Sequence, residues 1–261
     1  ARYAQEKCGF RTIITSKALL DKINCPLIEG MVVIEEIMKS VTTFDKLKAA
    51  LRAKLPVQMI LNTIHQGTED DTVAILFTSG SEKDPKAVQL THRNIGSNII
   101  NFCEYVHITE DDVMLANLVF FHIFGLTVNL WVCFVKGMTM ITYANPTEFQ
   151  TICQIAREEK PTVMVGTPSF FWGYLQKSEP GDFASLRIMV AGADKCPDAL
   201  REGYMKKHGV TLFEGYGTTE TSPVVSTNSP EFNKPGSIGK VIPNVEVRIE
   251  HLETGKECKP G

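Results

Sequence analysis

Residues 78–86 (TSGSEKDPK) bring hydroxyl groups, a glycine and lysines together in one short segment. Hydroxyl groups and backbone N–H groups donate hydrogen bonds to phosphate oxygens, and an ammonium group neutralises their charge. This composition therefore favours a loop that binds a polyphosphate. It is not a Walker A loop, which needs the spacing G-x-x-x-x-G-K-[ST] and a helix directly after it. From composition alone, an ordinary polar turn is the alternative.

Three further polar loops contain glycine, and each follows a short apolar run that is typical of a buried strand. They are Gly166-Thr167-Pro168, Gly192-Ala193-Asp194 and residues 214–220 (EGYGTTE). The helical patterns between these runs indicate an α/β fold, with a largely parallel sheet covered by helices on both faces. Ligands bind beyond the carboxyl ends of the strands in such sheets. We therefore expect these loops and residues 78–86 to form one cleft.

Hydrophobic periodicity predicts the elements that position these loops. The expected strands cover residues 11–15, 32–34, 73–77, 87–90, 138–143, 162–165, 187–191 and 210–213. The expected helices cover residues 17–23, 41–53, 92–106 after a Thr91 cap, 146–158, a short stretch through Trp172 and Leu175, and 197–208 before Gly209. Residues 114–135 carry no charge and are long enough to span a membrane. The polar residues among them favour a helix buried inside the protein.

Two parts are expected in the chain. Residues 1–230 are predicted to form an α/β core that is incomplete at its N-terminus, and residues 231–261 the beginning of an antiparallel β subdomain. The alternation of Val245-Glu246-Val247-Arg248-Ile249 predicts a half-exposed strand in that subdomain. No signal peptide is predicted. Because the sequence has no initiator methionine and the β subdomain has barely begun at Gly261, we interpret the chain as a segment truncated at both ends.

Composition excludes several classes of partner. The net charge is −3, and the only basic run is the pair Lys206-Lys207, so binding to nucleic acid is not expected. The seven cysteines are scattered and contain no C-x-x-C pair, which indicates neither a disulfide framework nor a zinc site. Free thiols fit a reducing, cytoplasmic compartment.

Five segments in the same order resemble the core motifs of the adenylate-forming superfamily, the AMP-binding acyl and acyl-CoA synthetases. They are Thr78-Ser79-Gly80-Ser81 with Lys86, Phe121-His122 with Gly125-Leu126, Gly192-Ala193, Tyr216-Gly217-Thr218-Thr219-Glu220, and Gly236-Ser237-Ile238-Gly239. Within the superfamily, residues 9–16, 19–21 and 77–82 are most similar to the acyl-acyl carrier protein synthetase module of bifunctional 2-acylglycerophosphoethanolamine acyltransferases.

The resemblance implies roles for individual residues. The implied contacts to the β- and γ-phosphates of ATP are Thr78, Ser79, Gly80, Ser81 and Lys86, with Thr219 at the α-phosphate. Tyr216 would stack on adenine against Gly192 and Ala193, and Glu214, Gly215, Gly217 and Thr218 complete the implied nucleotide contacts. Glu220, with Thr78, would bind Mg²⁺, and Phe121, His122, Gly166 and Trp172 would line the acyl pocket. Lys86, His122, Thr219 and Glu220 are the implied catalytic residues.

In the implied reaction, the carboxylate of a fatty acid attacks the α-phosphate of ATP, which releases pyrophosphate and forms an acyl-adenylate. A thiol of acyl carrier protein or coenzyme A then takes the acyl group, and AMP leaves. A mobile C-terminal lid would supply a further lysine from beyond Gly261. If the parent is the bifunctional enzyme, the cytoplasmic face of the inner membrane is an alternative location. Lys83 and Ala87 stand where the family usually has small residues and glycine, which predicts a stiffer phosphate loop.

Other interpretations stay open. The chain is alternatively a non-catalytic ATP- or AMP-binding module, or an amino-acid-activating domain, although residues 114–135 contain no aspartate to hold an amino group. Taken singly, His122, Tyr216 and Trp172 read as core residues, and Glu220 as an acid in the first turn of a helix.

Overall fold

A computed structural model of the chain describes residues 2–64, 66–78 and 85–258. The chain divides into two compact units, residues 1–68 and residues 69–261. The predicted boundary at residue 230 stays a prediction.

The first unit contains short helices around one parallel strand pair. Its elements are α1 (Arg2–Cys8), β1 (Ile13–Thr15), α2 (Lys17–Lys22), β2 (Met31–Val33), α3 (Ile34–Ser40), α4 (Thr43–Arg52) and α5 (Val57–Leu61). Polar caps fix two of the helix starts, since Ser16 Oγ accepts a hydrogen bond from Leu19 N and Thr42 forms a reciprocal capping box with Asp45. The predicted strands and helices of this region are confirmed within a few residues.

The second unit carries the main sheet. Its strands are β3 (Thr72–Thr78), β4 (Lys86–Thr91), β5 (Val113–Ala116), β6 (Thr139–Thr142), β7 (Val163–Gly166), β8 (Ile188–Ala191), β9 (Leu212–Gly217), β10 (Val224–Thr227) and β11 (Lys240–Val241). Its helices are α6 (His92–Val106), a π-helical segment (Gly125–Trp131) that continues into α7 (Val132–Lys136), α8 (Phe149–Glu159), α9 (Pro168–Lys177), α10 (Asp198–His208) and a 3₁₀ turn (Thr219–Thr221).

Seven strands form one sheet in the order β11-β10-β9-β8-β7-β5-β6. The run from β9 to β6 is parallel, whereas β10 and β11 are antiparallel. Alternate side chains of the parallel strands enter two hydrophobic clusters, one with α6 and the 125–136 helix and the other with α8, α9 and α10. The sheet therefore separates two helical layers, and the predicted α/β fold with a mostly parallel sheet is confirmed.

The predicted hairpin before α6 is also present. β3 and β4 pair in antiparallel register, with Thr78 opposite Lys86. Thr91 caps α6 as predicted, because its Oγ1 accepts from Asn94 N at 3.1 Å. The predicted phosphate contacts Ser79, Gly80 and Ser81, and also Lys83, lie outside the described residues.

Three expected elements are wrong. Residues 114–135 are not one buried helix but β5, a turn and the start of the π/α-helix. A strand buried on both faces is as continuously apolar as a buried helix, so the charge-free run did not separate the two. None of the described helices is long and apolar enough to cross a membrane.

The loop expected after Phe213 is instead the second half of β9. Residues 212–214 of β9 pair with β8, whereas residues 215–217 pair with β10. Residues 245–249 are not a strand, and only Glu250 forms an isolated bridge, with Glu257. Without a neighbouring strand among the described residues, alternation of side chains does not satisfy the backbone N–H and C=O groups that a strand must pair.

Candidate functional site

A pocket of about 220 Å³ lies at the carboxyl ends of β7, β8 and β9 and is also lined by β10, the antiparallel neighbour of β9 in the sheet. Two of the four predicted loops, at Gly192-Ala193 and at residues 215–219, come together in its wall, whereas Gly166-Thr167-Pro168 does not line it. The predicted site residues in its wall are His122, Gly192, Ala193, Gly215, Tyr216, Gly217, Thr218 and Thr219. Within this described lining there is no aspartate, glutamate, lysine or arginine.

The pocket is polar at its mouth and apolar at depth. Tyr216 is 48% exposed, and His122 is exposed as well. Phe102, Val165 and Val190, by contrast, are at most 4% exposed. An exposed aromatic ring above a buried apolar floor is suited to a flat ring system that carries an apolar group inward.

The wall at the end of β8 holds strained backbone. Ala193 has a φ of 69°, in the left-handed region that side chains other than glycine rarely adopt. Gly192 N donates a hydrogen bond to Gly166 O at 3.0 Å, which ties this turn to the end of β7. A Cβ on Gly192 would lie 3.2 Å from the Phe124 ring. The ring of Phe124 therefore packs against Gly192, the glycine that was predicted to face adenine.

β10 packs tightly against β9, its antiparallel neighbour in the sheet. A Cβ on Gly217 would lie 2.0 Å from Pro223 O, so no other residue fits there without moving the backbone. Asn98 of α6 fixes β10, since its Nδ2 donates to Val224 O at 2.7 Å and its Oδ1 accepts from Val224 N at 3.1 Å. Ser226 Oγ, in the same wall, is buried and has no hydrogen-bond partner among the described residues. Such a group is satisfied by a water or by a ligand.

Glu214 has a different position from the one predicted. It is 6% exposed and does not line the pocket. Its carboxylate accepts from Cys196 N at 3.1 Å and from Arg201 Nη1 at 3.0 Å, while Arg201 Nη1 also donates to Cys196 O at 2.7 Å. This buried ion pair joins the segment after Ala193 to β9. Glu214 thus holds two walls of the pocket together rather than presenting its carboxylate to a ligand.

The neighbouring thiol is not reactive. Burial raises the pKa of Cys196 to about 11. Because the thiolate is the nucleophilic form, Cys196 is excluded as an acyl acceptor near neutral pH.

His122 lies at the turn between β5 and the π-helical segment. Its backbone N donates to Val119 O at 3.3 Å, and its Nδ1 accepts from Phe124 N at 3.2 Å. This contact caps the helix start and leaves the proton of the neutral ring on Nε2. Nε2 is therefore a hydrogen-bond donor at the mouth of the pocket.

Comparison with known proteins identifies the family. The family model for the AMP-binding enzyme matches residues 1–261. The chain belongs to the AMP-binding enzyme family.

Individual relatives in this family are acid–coenzyme A ligases by name. The chain is 32% identical over 197 residues to the long-chain-fatty-acid–CoA ligase of Bacillus subtilis (strain 168), which covers 74% of this chain and 35% of that protein. It is 31% identical over 207 residues to the mitochondrial medium-chain acyl-CoA ligase ACSF2 of Rattus norvegicus, covering 75% and 34%.

A solved structure is similar over nearly the whole chain. The o-succinylbenzoate coenzyme A synthetase MenE of Bacillus subtilis, in complex with AMP, has a TM-score of 0.79 at 25% identity, with 99% of this chain and 49% of that chain covered. The chain thus spans between about a third and a half of the length of these relatives.

Several predicted site residues of this chain lie outside the pocket wall. Thr78 and Lys86 sit on the β3–β4 hairpin, and β4 contacts the turn Thr219–Thr221 that carries Glu220. Thr78 Oγ1 is buried and has no partner among the described residues. Glu220 is exposed beside Thr219. Their roles toward phosphate and metal stay predictions.

The predicted acyl contacts are divided. Phe121 is 81% exposed and does not line the pocket. Gly166 does not line it either, and its carbonyl accepts the hydrogen bond from Gly192 N. Trp172 packs against the hydrophobic cluster on the opposite face of the sheet. The structure does not bring these three residues to the pocket, and only His122 of the predicted acyl contacts lines it.

The sequence analysis did not predict the apolar floor of the pocket or the strand β10. Phe102, Phe124, Pro223, Val224, Ser226 and Thr227 line the pocket. The spacing of Phe102 in α6 predicted only a core position, and it is in fact both core and floor. Val224–Thr227 (VVST) contains three β-branched residues shortly after the predicted loop, a signal for a further strand that was available in the sequence.

Proposed function

We propose that this chain is the nucleotide-binding part of an acid–thiol ligase that activates a carboxylic acid, as the acyl-adenylate, at the pocket between β8, β9 and β10. The observation that carries the proposal is the convergence of Gly192, Ala193 and residues 215–219 with His122 on one pocket in a member of the AMP-binding family. ATP is the proposed co-substrate, since MenE in the complex named above holds AMP.

Tyr216 is the proposed platform for adenine, because its half-exposed ring lies at the mouth of the pocket. Thr219 would donate to the α-phosphate, and the β3–β4 hairpin, with Thr78 and Lys86 opposite each other, would hold the terminal phosphates. His122 would donate from Nε2 to the carboxylate of the acid. Positioning of both anions matters because a carboxylate must approach a charged phosphate.

Glu220 fits a magnesium ligand. It is a single exposed carboxylate beside Thr219, and Mg²⁺ usually takes one or two carboxylates with phosphate oxygens and waters. Among the described residues, no group of three or more His, Cys, Asp or Glu side chains forms a cage for a metal, so the metal would have to arrive with the nucleotide. When bound, Mg²⁺ would neutralise phosphate charge.

The proposed acid is a fatty acid and the proposed acceptor a thiol in the cytoplasm. Coenzyme A is favoured because the relatives above are named as CoA ligases. Acyl carrier protein is the other candidate, from the resemblance of residues 9–16 and 77–82 to acyl-acyl carrier protein synthetase modules. A membrane-associated parent protein would follow from that second assignment.

Exchange of radiolabelled pyrophosphate into ATP tests the proposal directly. The full-length protein is assayed with a panel of carboxylic acids, followed by each thiol. Acid-dependent exchange establishes adenylation, and the thiol that releases AMP fastest identifies the acceptor. The competing function is a nucleotide-binding module without catalysis, which the absence of a cation from the described pocket lining favours for this segment alone. AMP binding without exchange for any acid in the full-length protein would establish that alternative.

A further inference from the structure

The apolar end of the pocket is closed by the core of the protein. Phe102, Ile123, Val165, Val190 and Val224 line this end, and all are at most 8% exposed. Each of them also belongs to the hydrophobic cluster that α6 and the 125–136 helix form on the sheet. Protein cores are close-packed, so a ligand cannot extend past these side chains without displacing them.

The space before this floor is small. The whole pocket has a volume of about 220 Å³, whereas pockets for drug-sized ligands measure about 300 to 1,000 Å³. Tyr216, Gly192 and Ala193 line the same pocket near its mouth, so a nucleotide base would share it. Only part of the volume is left for the acyl group.

The comparisons leave the size of the acid open. The relatives named above include a long-chain-fatty-acid ligase, a medium-chain ligase and an o-succinylbenzoate synthetase. An acyl site that admits a long chain needs a channel as long as the chain. In this chain, the apolar end of the pocket is lined by buried core side chains, and the pocket volume of about 220 Å³ suits a short chain.

We infer that the acid is compact: a medium-chain acid or an acid with a single ring, and not a long-chain fatty acid. This inference rests on the proposed function and specifies its substrate class. The proposed selecting residues are Phe102 and Val224, two buried side chains of the floor that come from different elements, one from α6 and the other from β10. They would reject each methylene that the pocket cannot hold.

Binding of non-hydrolysable acyl-adenylates tests the inference without needing turnover. The full-length protein is titrated by calorimetry with the octanoyl, cinnamoyl and palmitoyl sulfamates of adenosine, and with AMP as reference. If the floor is closed, the octanoyl or cinnamoyl compound binds more tightly than AMP, and the palmitoyl compound binds at least about tenfold more weakly than the octanoyl one. A single methylene is worth about 10- to 200-fold in a hydrophobic pocket of fixed size.

A substitution in the floor provides the matched comparison. Val224→Ala is expected to reduce the octanoyl-to-palmitoyl preference about tenfold, the lower end of the range for one methylene. Val163→Ala removes the same atoms from a fully buried residue of the same cluster that does not line the pocket, and should leave the preference unchanged. If Phe102→Ala also folds, it should shift the preference further.

The possible outcomes separate the inference from the function. Palmitoyl binding as tight as octanoyl binding would overturn the compact-acid inference and leave adenylate binding intact. If AMP binds but no acyl compound binds more tightly than AMP, the acid-activating function itself is refuted, and the inference falls with it.

Discussion

Replacement of Arg201 by leucine should weaken both the fold and the nucleotide site. The side chains of Arg201 and Glu214 are 12% and 7% exposed, and Arg201 Nη1 lies 3.0 Å from Glu214 Oε2. It also donates to Cys196 O at 2.7 Å, in the segment that follows Ala193. In Arg201→Leu, Glu214 keeps one donor, Cys196 N, but is left as a buried charge without a cation.

The expected magnitude follows from that burial. Breaking a buried ion pair by removing one partner costs about 3 to 5 kcal/mol, because the remaining charge stays desolvated. The second partner of Arg201, Asp198, is 81% exposed and adds little. At about 2 to 4 °C per kcal/mol for a domain of this size, the melting temperature should fall by roughly 6 to 20 °C. In a Glu214→Gln background the same substitution should cost clearly less, since no buried charge remains.

The control is another arginine–carboxylate pair, away from the pocket. Arg157 Nε donates to Asp182 at 2.7 Å, the Asp182 side chain is 3% exposed, and its carboxylate also keeps a backbone donor, Glu179 N. Because Arg157 itself is 52% exposed, Arg157→Leu should destabilise the fold by less than Arg201→Leu. Calorimetric titration with AMP well below both melting temperatures separates the effects, because only Arg201→Leu should weaken binding, by about tenfold. Equal affinities in the two variants would refute the claim that Arg201 positions the nucleotide wall.

Three other outcomes are expected. Tyr216→Ala should weaken AMP binding by roughly ten- to a hundredfold, since stacking on an aromatic ring is worth about 1 to 3 kcal/mol per base; an unchanged dissociation constant would exclude stacking. Glu220→Gln should weaken ATP binding in the presence of Mg²⁺ and leave metal-free AMP binding unchanged; a parallel loss of both, with lower stability, would indicate a helix-capping acid. Burial lowers the pKa of His208 from 6.5 to about 4. The neutral side chain therefore contributes fully to stability above pH 6.5, and at most about 3 kcal/mol of the free energy of unfolding is lost as the pH falls toward 4. In urea unfolding, the difference in stability between pH 7 and pH 5 should be smaller in His208→Phe than in the unsubstituted protein.

Local signals were sufficient for most of the second unit. The apolar runs at β7 and β8 are buried on both faces, and Gly209, with a φ of 70°, ends α10 at the predicted position. Here burial, capping and periodicity agree, and each of them depends on residues close in sequence. The order of the strands then places the predicted loops at one edge, as the rule for parallel sheets requires.

The failures depend on contacts between distant residues. Residues 215–217 look like a loop because glycine disfavours strands, yet they pair with β10. Residues 245–249 have the alternation of a strand but pair with no strand among the described residues. The volume left in front of Phe102 likewise depends on side chains of other elements, among them β7, β8 and β10. Sequence periodicity indicates which side of an element is apolar, but it does not indicate which residues of other elements pack against that side.

The two kinds of residue in the strand-end run 214–220 therefore support the proposed site unequally. Gly217 is required by the backbone of Pro223, and Glu214 by Arg201, with or without a ligand. A matching motif at these two positions is explained by packing alone. Tyr216 is different, because a ring that is 48% exposed at the mouth of a pocket gains little from its present surroundings. Burial of an aromatic side chain is favourable, and the burial of Tyr216 is incomplete, so a ligand that covers its ring would add contacts that the fold does not supply. Substitution of Tyr216 should therefore reduce ligand binding with little effect on the stability of the fold.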